Sequence, residues 1–306
     1  MNRFQKLFYY LTHLPIIILL YLWDRVAPII ISDKVFLTVK FRLRMGYWMD
    51  FNDPKTFNEK LNWLKLYDRN PLYSKLADKY EVKKIVAQKI GAEYIVSNYG
   101  VWSLFEDINF SKLPDQFVLK TTGDSSGVII CKNKNGFDMK FAAKRIAKSL
   151  KLNYYYRNRE WPYKDIKPRI IADMLLDEHT GKELQDYKFW CFNGEPKVMY
   201  ITNKGKNIAE NFYDMDFMPI DICHGCPRVT PEFKKPTDFE KMKELASILS
   251  MGIPFVRVDF FYVNNKIFFG EYTFYDWGGL KPFINYEMDL RIGEWLLLPS
   301  KNGNNL

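Results

Sequence analysis

Histidine and cysteine are scarce in this sequence, with 3 His and 4 Cys among 306 residues. So few histidines leave no Ser/His/Asp or Cys/His arrangement, and the sequence therefore offers no base-activated protein nucleophile. Four cysteines are too few for a disulfide framework at this length. The pair Cys223 and Cys226 has no second pair to complete a zinc site and no thioredoxin-like context, so we interpret it as chance or a structural turn.

Hydrophobic runs long enough to cross a membrane are also missing. Residues 14–23 form an apolar stretch, but it is shorter than the ~20 residues that a spanning helix needs. The cations Arg3, Lys6 and Arg25 favour a segment that lies on anionic headgroups, and a helix buried against the domain is the alternative. No small-residue cleavage site follows, so a secretory signal is not indicated. We expect a cytoplasmic protein, and peripheral contact with the inner face of the plasma membrane stays an open interpretation.

Acidic residues are outnumbered, with 36 Asp and Glu against 45 Lys and Arg, which leaves a formal net charge of +9. Such a balance favours an acidic partner. The basic residues are spread along the chain, and no zinc-finger, RNA-recognition or basic-zipper pattern is present, so nucleic acid is disfavoured. The partners left open are anionic lipid, nucleotide phosphates and an acidic polymer.

The order of predicted elements indicates a mixed α+β fold. Hydrophobic residues make up 47% of the chain and charged residues 26%, which are values of globular proteins. Helical patterns dominate the first part of the chain after residue 32, and strands with short turns follow. Asn193-Gly194 between two apolar runs is a strong β-hairpin signal.

A second predicted hairpin, residues 255–273, carries one acid on each arm. Asp259 and Glu271 lie among bulky strand-forming residues, and a buried carboxylate must be paired, protonated or bound to a metal. Two opposed acids suit Mg²⁺, which prefers hard oxygen ligands. A half-solvated hairpin whose acids face water is an equal alternative.

The length of the hairpin turn decides between these interpretations, because strand side chains alternate between faces. A plain two-residue turn at residues 264–265 would place Glu271 on the face opposite to Asp259. A three-residue loop with Asn265 in the left-handed conformation would set the two acids side by side. The metal hypothesis therefore predicts the three-residue loop.

The segment that follows Lys120, residues 121–127, links two predicted strands and offers four hydroxyls and two glycines. Glycine lets backbone N–H groups approach a phosphate, and lysine supplies a charge for its oxygens. The segment lacks the Gly-Lys-Ser/Thr of a Walker loop, and a strand follows it instead of a helix. An ordinary flexible turn is the alternative.

Three pieces of the chain, in this order, resemble the ATP-grasp superfamily: residues 78–83, residues 117–127, and the acid-bearing hairpin. Their spacing resembles that of D-alanine–D-alanine ligases, and the closer likeness is to the TupA-like ATP-grasp branch of bacterial surface-polysaccharide clusters. The likeness covers about residues 50–299. Shorter phrases that support it are Thr56-Phe-Asn-Glu-Lys-Leu, Asn153-Tyr-Tyr-Tyr, Glu160-Trp-Pro-Tyr, Lys167-Pro-Arg-Ile, Asp186-Tyr-Lys-Phe and Pro254-Phe-Val-Arg-Val-Asp.

The resemblance implies an ATP-grasp fold, in which a cleft between two α+β lobes holds the nucleotide. Residues 111–175 would form the small lobe, and residues 176–299 would form the large lobe with the metal site. A helical region, residues 32–110, would precede them. Residues 1–31 would be the apolar N-terminal segment, and residues 300–306 a tail.

The resemblance also implies roles for individual residues. ATP would be bound by Lys79, Lys120, Ser125, Ser126, Gly127 and Asp173. Mg²⁺ would be bound by Asp259, Glu271 and Thr273. Arg257 and Lys120 would stabilise the transition state, and Ser125, Ser126 and Gly127 would form a closing lid. Asp173 stands at the hinge position, where the family usually has Glu, and Thr273 stands where Asn is common.

The implied reaction is ATP-dependent joining of a carboxylate to an amine through an acylphosphate. The implied partners are an acidic sugar or polysaccharide precursor and an amine donor, in capsule or lipopolysaccharide biosynthesis. Relatives continue after the last metal ligand with a Pro-Gly-type turn, whereas this chain has residues 274–279, Phe-Tyr-Asp-Trp-Gly-Gly. A different acceptor pocket or an inactive relative is therefore expected as an alternative.

Residues 153–163 alternate aromatic rings with guanidinium groups. Arg157, Arg159 and Trp161 would suit an acidic sugar, because rings stack on sugar faces and arginine binds carboxylates at two points. A packed surface loop is the alternative. Competing functions are a glycosyltransferase that uses Asp214 and Asp216, a sugar kinase, and a non-catalytic basic protein that docks on membranes.

Overall fold

The computed structural model describes residues 23, 31–124, 126–177, 184–203, 209–224, 228 and 233–301. Its helices are α1 (Asp33–Met45), α2 (Phe57–Tyr67), α3 (Leu72–Ala77), α4 (Glu81–Ile90), α5 (Met139–Leu150), α6 (Tyr155–Asn158), α7 (Phe239–Ser250) and α8 (Tyr286–Glu294). Its strands are β1 (Asn98–Trp102), β2 (Phe117–Thr121), β3 (Val128–Cys131), β4 (Ile170–Met174), β5 (Asp186–Phe192), β6 (Glu195–Asn203), β7 (Ala209–Tyr213), β8 (Pro219–Ile220), β9 (Phe255–Val263) and β10 (Lys266–Thr273). The predicted α+β class is confirmed.

The start of α2 follows the local sequence closely. The Thr56 hydroxyl accepts a hydrogen bond from the Glu59 N–H, and the Glu59 carboxylate accepts one from the Thr56 N–H, so both halves of a capping box are present. Phe57 at the first position is buried against Trp190, with ring centroids 5.1 Å apart. The cap thus fixes α2 where it covers the larger sheet.

The smaller sheet has four strands in the order β1-β4-β2-β3, and its neighbouring strands are antiparallel. One face packs on α5 and forms a separate apolar core that includes Phe117, Leu119 and Ile146. Because side chains alternate, Lys120 and Asp173 lie on the other face. The first strand of this sheet precedes residue 111, where the small lobe was predicted to begin.

The larger sheet has six antiparallel strands in the order β10-β9-β5-β6-β7-β8. Helix α7 covers one face, where Phe239 stacks on Phe189 at 5.7 Å. The opposite face carries Arg257 and Asp259 beside Trp190, and α2 covers part of it. Arg257 and Asp259 therefore lie on the face of this sheet that points away from α7. The predicted hairpin at Asn193-Gly194 joins β5 and β6 and is confirmed.

The turn between β9 and β10 differs from the predicted three-residue loop, and that prediction was wrong. Asn264 and Asn265 form a two-residue turn with φ values of 52° and 57°. The register shifts further along, where Gly270 is an extra residue in β10, so that Glu271 pairs with Asp259. A Cβ on Gly270 would lie 3.0 Å from the carbonyl oxygen of Asp259, which is why glycine suits this bulge.

The apolar N-terminal segment lies outside the described residues except for Trp23 and Ile31. The Trp23 ring stacks on Phe36 of α1, with centroids 5.9 Å apart. Within the described ranges, none of the helices has both the length and the apolar character needed to cross a bilayer.

Candidate functional site

A small cavity of about 30 Å³ lies where the two sheets and α4 meet. Its lining joins residues that are distant in sequence: Lys79, Val82, Lys83, Ile95, Val96, Lys120, Asp173, Phe261, Phe269 and Gly270. Three lysines from one side thus meet the acid-bearing hairpin of the larger sheet. We refer to this region as the cleft.

Asp173 anchors two of the lysines in the cleft. Its side chain is 2% exposed, and its oxygens accept hydrogen bonds from Lys120 Nζ at 3.1 Å and Lys83 Nζ at 3.0 Å. The amide of Asn98 donates to it as well, at 3.1 Å. This side chain therefore positions the lysines, a role that the sequence did not indicate. Lys83 was not predicted as a site residue, although it lies only four residues after Lys79.

Lys79 links the smaller sheet to the hairpin. Its ammonium group donates to the backbone carbonyl of Asp124. Burial lowers the pKa of Lys79, and the nearby carboxylate of Glu271 opposes the change. A partly desolvated cation beside an acid from the other sheet is suited to receive a phosphate.

Asp124 organises the loop after β2. This carboxylate accepts hydrogen bonds from Ser126 Oγ at 2.6 Å, Ser149 Oγ at 2.5 Å and the Gly127 N–H at 3.1 Å. Burial would raise the pKa of Asp124, but these hydrogen bonds lower it below its usual value. The predicted lid residues Ser126 and Gly127 are thus bound to Asp124, and Ser125 lies outside the described residues.

Gly127 has a packing reason to be glycine. A Cβ at this position would overlap the hydroxyl oxygens of Thr121 and Ser149. These two hydroxyls contact each other at 2.6 Å and both contact Asp124. The sequence suggested backbone approach to a phosphate, and the structure adds a hydroxyl network that fills the space beside the glycine.

Arg257 bridges the two opposed acids of the hairpin. Its Nε and Nη2 atoms donate to the two oxygens of Asp259, each at 2.7 Å, and Nη2 also contacts Glu271 Oε1 at 3.2 Å. Burial works against the guanidinium charge, but the neighbouring carboxylates raise the pKa of Arg257 well above its usual value. A cation therefore already links the acids that the sequence assigned to Mg²⁺.

Burial affects the pKa of Asp259 more than its charged partners do. Burial raises the pKa of Asp259 to about 6, although the charges of Arg257 and Lys188 oppose the change. Lys188 pairs with Asp259 across β5 and β9, and its Nζ contacts Asp186 at 2.9 Å. Lys188 was not predicted, because its place opposite Asp259 depends on strand pairing.

Asp276 is a further acid beside Arg257 that the sequence did not assign to the site. Its Oδ1 accepts from Arg257 Nη1 at 2.6 Å and from Tyr200 Oη at 3.0 Å. Its Oδ2 is buried and has no hydrogen-bond donor among the described residues. Arg257 therefore joins the hairpin to the segment that follows β10.

The predicted magnesium ligands fit Mg²⁺ by their chemistry. Asp259, Glu271 and Thr273 offer only oxygen donors, and the Thr273 hydroxyl lies 3.3 Å from Glu271 Oε1. The part of the chain that the structure describes holds no group of three His, Cys, Asp or Glu residues that could bind a metal by themselves. These residues therefore suit a cation that takes its remaining oxygens from a substrate or water.

Arg159 does not have the position predicted for a substrate residue. Its side chain is 2% exposed, its Nε lies 3.1 Å from Asp33 Oδ1, and its guanidinium lies 4.6 Å from the Phe36 ring centroid. It therefore packs α1 against the neighbouring loop, and its predicted sugar contact is corrected. Arg157 is exposed beside the Tyr154 ring, and Trp161 is half-buried.

The Asp-x-Asp sequence considered for a glycosyltransferase shapes a turn between β7 and β8. Asp214 Oδ1 accepts hydrogen bonds from the backbone N–H groups of Asp216 at 2.9 Å and Met218 at 2.8 Å. Such bonds are typical of an Asx turn. The triplet thus has a structural explanation within the fold.

Residues 59–297 match a family model described as TupA-like ATPgrasp. None of the curated protein sequences matches the chain. Similar solved structures include D-alanine–D-alanine ligase from Helicobacter pylori, at 13% identity over 78% of this chain and 69% of that one, with a TM-score of 0.43. L-amino acid ligase from Bacillus licheniformis has 11% identity over 79% of this chain and 55% of that one, with a TM-score of 0.44.

D-alanine–D-alanine ligase from Bacillus anthracis, in a complex with ATP, has 12% identity and a TM-score of 0.38. The match covers 65% of this chain and 53% of that one. The chain thus spans between about half and about two thirds of the length of these three proteins. The residues matched by the family model include both sheets and the cleft.

Proposed function

The chain belongs to the TupA-like ATP-grasp family, and on this premise we propose that it is an ATP- and Mg²⁺-dependent ligase that joins a carboxylate to an amine. The observation that carries the proposal is the meeting of opposite charges in the cleft. Lysines of the smaller sheet and α4 lie across from Asp259 and Glu271 of the larger one. Phosphate oxygens need cations and magnesium needs carboxylates. The lysines line the cleft, and Glu271 of the adjoining hairpin is close enough to Lys79 for their charges to interact.

The lysines would bind the nucleotide phosphates. Lys120 and Lys79 supply direct charges, and Lys83 is held beside Lys120 by their shared bond to Asp173. Residues 125–127 would close over the phosphates as a lid. Binding would then exchange some loop contacts with Asp124 for contacts with phosphate oxygens.

Asp259, Glu271 and Thr273 would hold Mg²⁺ against the phosphates. The ion supplies charge neutralisation at the transferring phosphoryl group. Arg257 lies directly beside these acids, and its guanidinium would stabilise negative charge that develops during transfer. The side chain of Glu271 is 43% exposed, which leaves it accessible to a ligand that enters the cleft.

The proposed reaction has two steps. A carboxylate oxygen attacks the γ-phosphorus of ATP, the bond to the ADP oxygen breaks, and an acylphosphate forms. An amine nitrogen then attacks the acyl carbon, loses a proton and displaces phosphate, which yields an amide. Neither step needs a covalent bond to the protein, which agrees with the scarcity of histidine and cysteine.

The proposed acceptor is an acidic sugar or a polysaccharide precursor of the cell surface, such as a capsule or lipopolysaccharide unit. The net charge of +9 supports an acidic partner. The test is a thermal-shift measurement with ATP and Mg²⁺ on the unaltered protein and on Lys120→Ala. The control is Lys132→Ala, an exposed lysine just after β3. We expect stabilisation that Lys120→Ala alone loses, and equal shifts in all three proteins would contradict the proposal.

An ADP-release assay separates ligation from the alternatives. A ligase releases ADP with a uronic acid and an amino acid together, whereas a sugar kinase releases it with a sugar alcohol alone. A glycosyltransferase would prefer a sugar nucleotide to ATP. Release that depends on both the acid and the amine supports the proposed ligase.

Contact with an anionic membrane is proposed as a second property. Helix α1 carries Lys34 and Arg44 on its exposed surface, and the Trp48 ring is 63% exposed with the Arg42 guanidinium 5.8 Å away. Cations beside an exposed indole suit the headgroup layer. Co-sedimentation with anionic and zwitterionic vesicles tests this, and binding that Arg42→Glu and Arg44→Glu leave unchanged would contradict it.

A further inference from the structure

Arg169 reaches from the smaller sheet to the start of α4. The residue comes directly before β4, and its Nη2 atom lies 2.9 Å from Asp78 Oδ2 and 2.9 Å from Glu81 Oε1. Its guanidinium carbon also lies 4.9 Å from the centroid of the Tyr80 ring. One arginine of the smaller sheet therefore contacts residues on both sides of Lys79.

Thr122 ties the same segments together through the backbone. This buried residue follows β2, its N–H donates to the Arg169 carbonyl at 3.0 Å, and its hydroxyl oxygen accepts from the Arg169 N–H at 3.1 Å. The carbonyl of Thr122 accepts a hydrogen bond from the Lys79 N–H at 3.2 Å. Because the Lys79 ammonium group donates to the Asp124 carbonyl, both the backbone and the side chain of Lys79 are bound to the segment after β2.

Asp78 joins Arg169 to the backbone at the start of α4. Its Oδ1 accepts hydrogen bonds from the backbone N–H groups of Tyr80 at 2.8 Å and Glu81 at 3.1 Å, and its Oδ2 accepts one from Arg169. The Asp78 side chain is 5% exposed, so solvent ions screen this pair little. The pair therefore fixes the backbone on both sides of Lys79 relative to the smaller sheet.

The contact is not explained by stability alone. The Nε atom of Arg169 is buried and has no hydrogen-bond acceptor among the residues that the structure describes. An unsatisfied buried donor costs free energy, and a buried ion pair is often no more stabilising than apolar side chains of similar size. A ligand-binding lysine, however, raises affinity when its position is fixed before the ligand arrives, because less freedom is lost on binding. The contact is therefore better explained by a role in positioning Lys79.

We propose that Arg169 is a positioning residue for the ATP site, which acts through Asp78 to hold the Lys79 ammonium group where the phosphates bind. Burial disfavours the charged form of Lys79 and lowers its pKa. Without these contacts, the long side chain would turn its ammonium group toward water. The inference rests on the proposed function, because it takes Lys79 to contact the phosphates, and it adds the residue that sets the geometry of that contact.

The test combines substitutions of Arg169 and Asp78 with one of Lys79. Arg169→Met removes the charge and keeps an unbranched side chain, and Arg169→Lys keeps a charge that can pair with one acid. Asp78→Asn removes the negative charge but retains an oxygen for the backbone N–H groups at the start of α4. Arg291→Met, which replaces an exposed arginine of α8, is the matched control.

The measurement is calorimetric titration with ATP and Mg²⁺. We expect Arg169→Met and Asp78→Asn each to raise the Kd for ATP about tenfold. Arg169→Lys should restore part of the affinity, and Arg291→Met should match the unaltered protein. Urea unfolding of each variant separates a loss of affinity from a loss of the fold.

The Lys79→Met background distinguishes positioning from a purely structural role. In a protein that already carries Lys79→Met, we expect the addition of Arg169→Met to change the Kd by less than about twofold, because the side chain that Arg169 positions is absent. A purely structural role would instead give the same loss with and without Lys79.

Failure of this inference can be told apart from failure of the proposed function. If the unaltered protein shows no Mg²⁺-dependent ATP binding, the ligase proposal falls and the positioning role falls with it. If ATP binds and Lys79→Met leaves its affinity unchanged, Lys79 does not contact the phosphates and the positioning role is overturned. If Lys79→Met weakens binding but Arg169→Met does not, or if the two losses add up in the double variant, the positioning role alone is wrong.

Discussion

Asp259 lies directly opposite Glu271 across β9 and β10, although the turn that joins these strands has only two residues. The bulge at Gly270 makes this possible, because one extra residue returns Glu271 to the face of Asp259. The proposed metal site thus depends on a bulge that places the second acid, and not on the turn.

Gly270→Ala tests this dependence. A Cβ would meet the backbone carbonyl of Asp259 at 3.0 Å, so we expect the bulge to distort and Mg²⁺-dependent ATP binding to weaken. Calorimetric titration with ATP and Mg²⁺ measures the change. Gly136→Ala is the control, because a Cβ there would have no neighbour within 4 Å. Unchanged affinity in Gly270→Ala would show that the bulge does not position the acids.

Lys83→Met tests a cation that the sequence analysis did not assign to the site. Lys83 shares Asp173 with Lys120, so its removal should weaken the positive field of the cleft and raise the Kd for ATP about tenfold. The adjacent, exposed Lys84→Met is the control on the same helix. Equal affinities in the two variants would exclude a role of Lys83 in binding ATP.

Asp124→Asn tests the organisation of the loop. An amide cannot accept all the hydrogen bonds that reach this carboxylate, and we expect a loss of about 1–3 kcal/mol in the free energy of unfolding. The KM for ATP should rise as well, because a loop that has lost these hydrogen bonds would hold the backbone carbonyl of residue 124, which binds Lys79, less firmly in place. Urea unfolding and steady-state kinetics measure the two effects. The exposed Asp107→Asn should change neither, and an unaltered KM in Asp124→Asn would refute the positioning role.

Asp289 predicts a pH dependence of stability. Burial raises the pKa of Asp289 from 3.8 to about 6, although hydrogen bonds from Asn58 oppose the change. The folded protein then binds this proton more tightly than the unfolded chain, so stability falls as pH rises from about 4 to about 6. The difference in pKa corresponds to about 3 kcal/mol in the free energy of unfolding.

Asp289→Asn removes this titration, because the amide stays neutral and its oxygen can still accept a hydrogen bond from Asn58. The comparison is the difference in unfolding free energy between the two proteins from pH 4 to pH 7. We expect the substituted protein to gain relative stability as the pH rises. A difference that does not change with pH would contradict the raised pKa.

Local signals in the sequence predicted part of this structure. The hairpin at Asn193-Gly194 was predicted because it depends on a few adjacent residues. The capping box at Thr56 and Glu59 is equally local, although the sequence analysis did not identify it. The three-residue loop was wrong because the register is set at Gly270, where packing against the opposite strand decides the bulge. The alternation of apolar and polar residues along the strands does not show where such a bulge lies.

Residues that act through tertiary placement were missed. Lys188 reaches Asp259 only through the pairing of β5 with β9, and Asp276 reaches Arg257 only because the chain folds back after β10. Asp124 carried a local signal, since an acid among serines and glycines is typical of Asx turns. Arg159 was predicted to contact a sugar because the aromatic and arginine-rich composition of residues 153–163 suits one. In the structure Arg159 is buried and pairs with Asp33 of α1.

The most direct test of the proposed ATP site, formed by the lysines of the cleft with Asp259 and Glu271, is calorimetric titration of ATP with and without Mg²⁺. Glu271→Gln is the informative variant, because it preserves the shape of a half-exposed side chain and removes its charge. The exposed Glu294→Gln is the control. We expect Mg²⁺-dependent binding that Glu271→Gln weakens at least about tenfold and Glu294→Gln leaves unchanged. Equal affinity with and without Mg²⁺, or an unaltered affinity in Glu271→Gln, would contradict it.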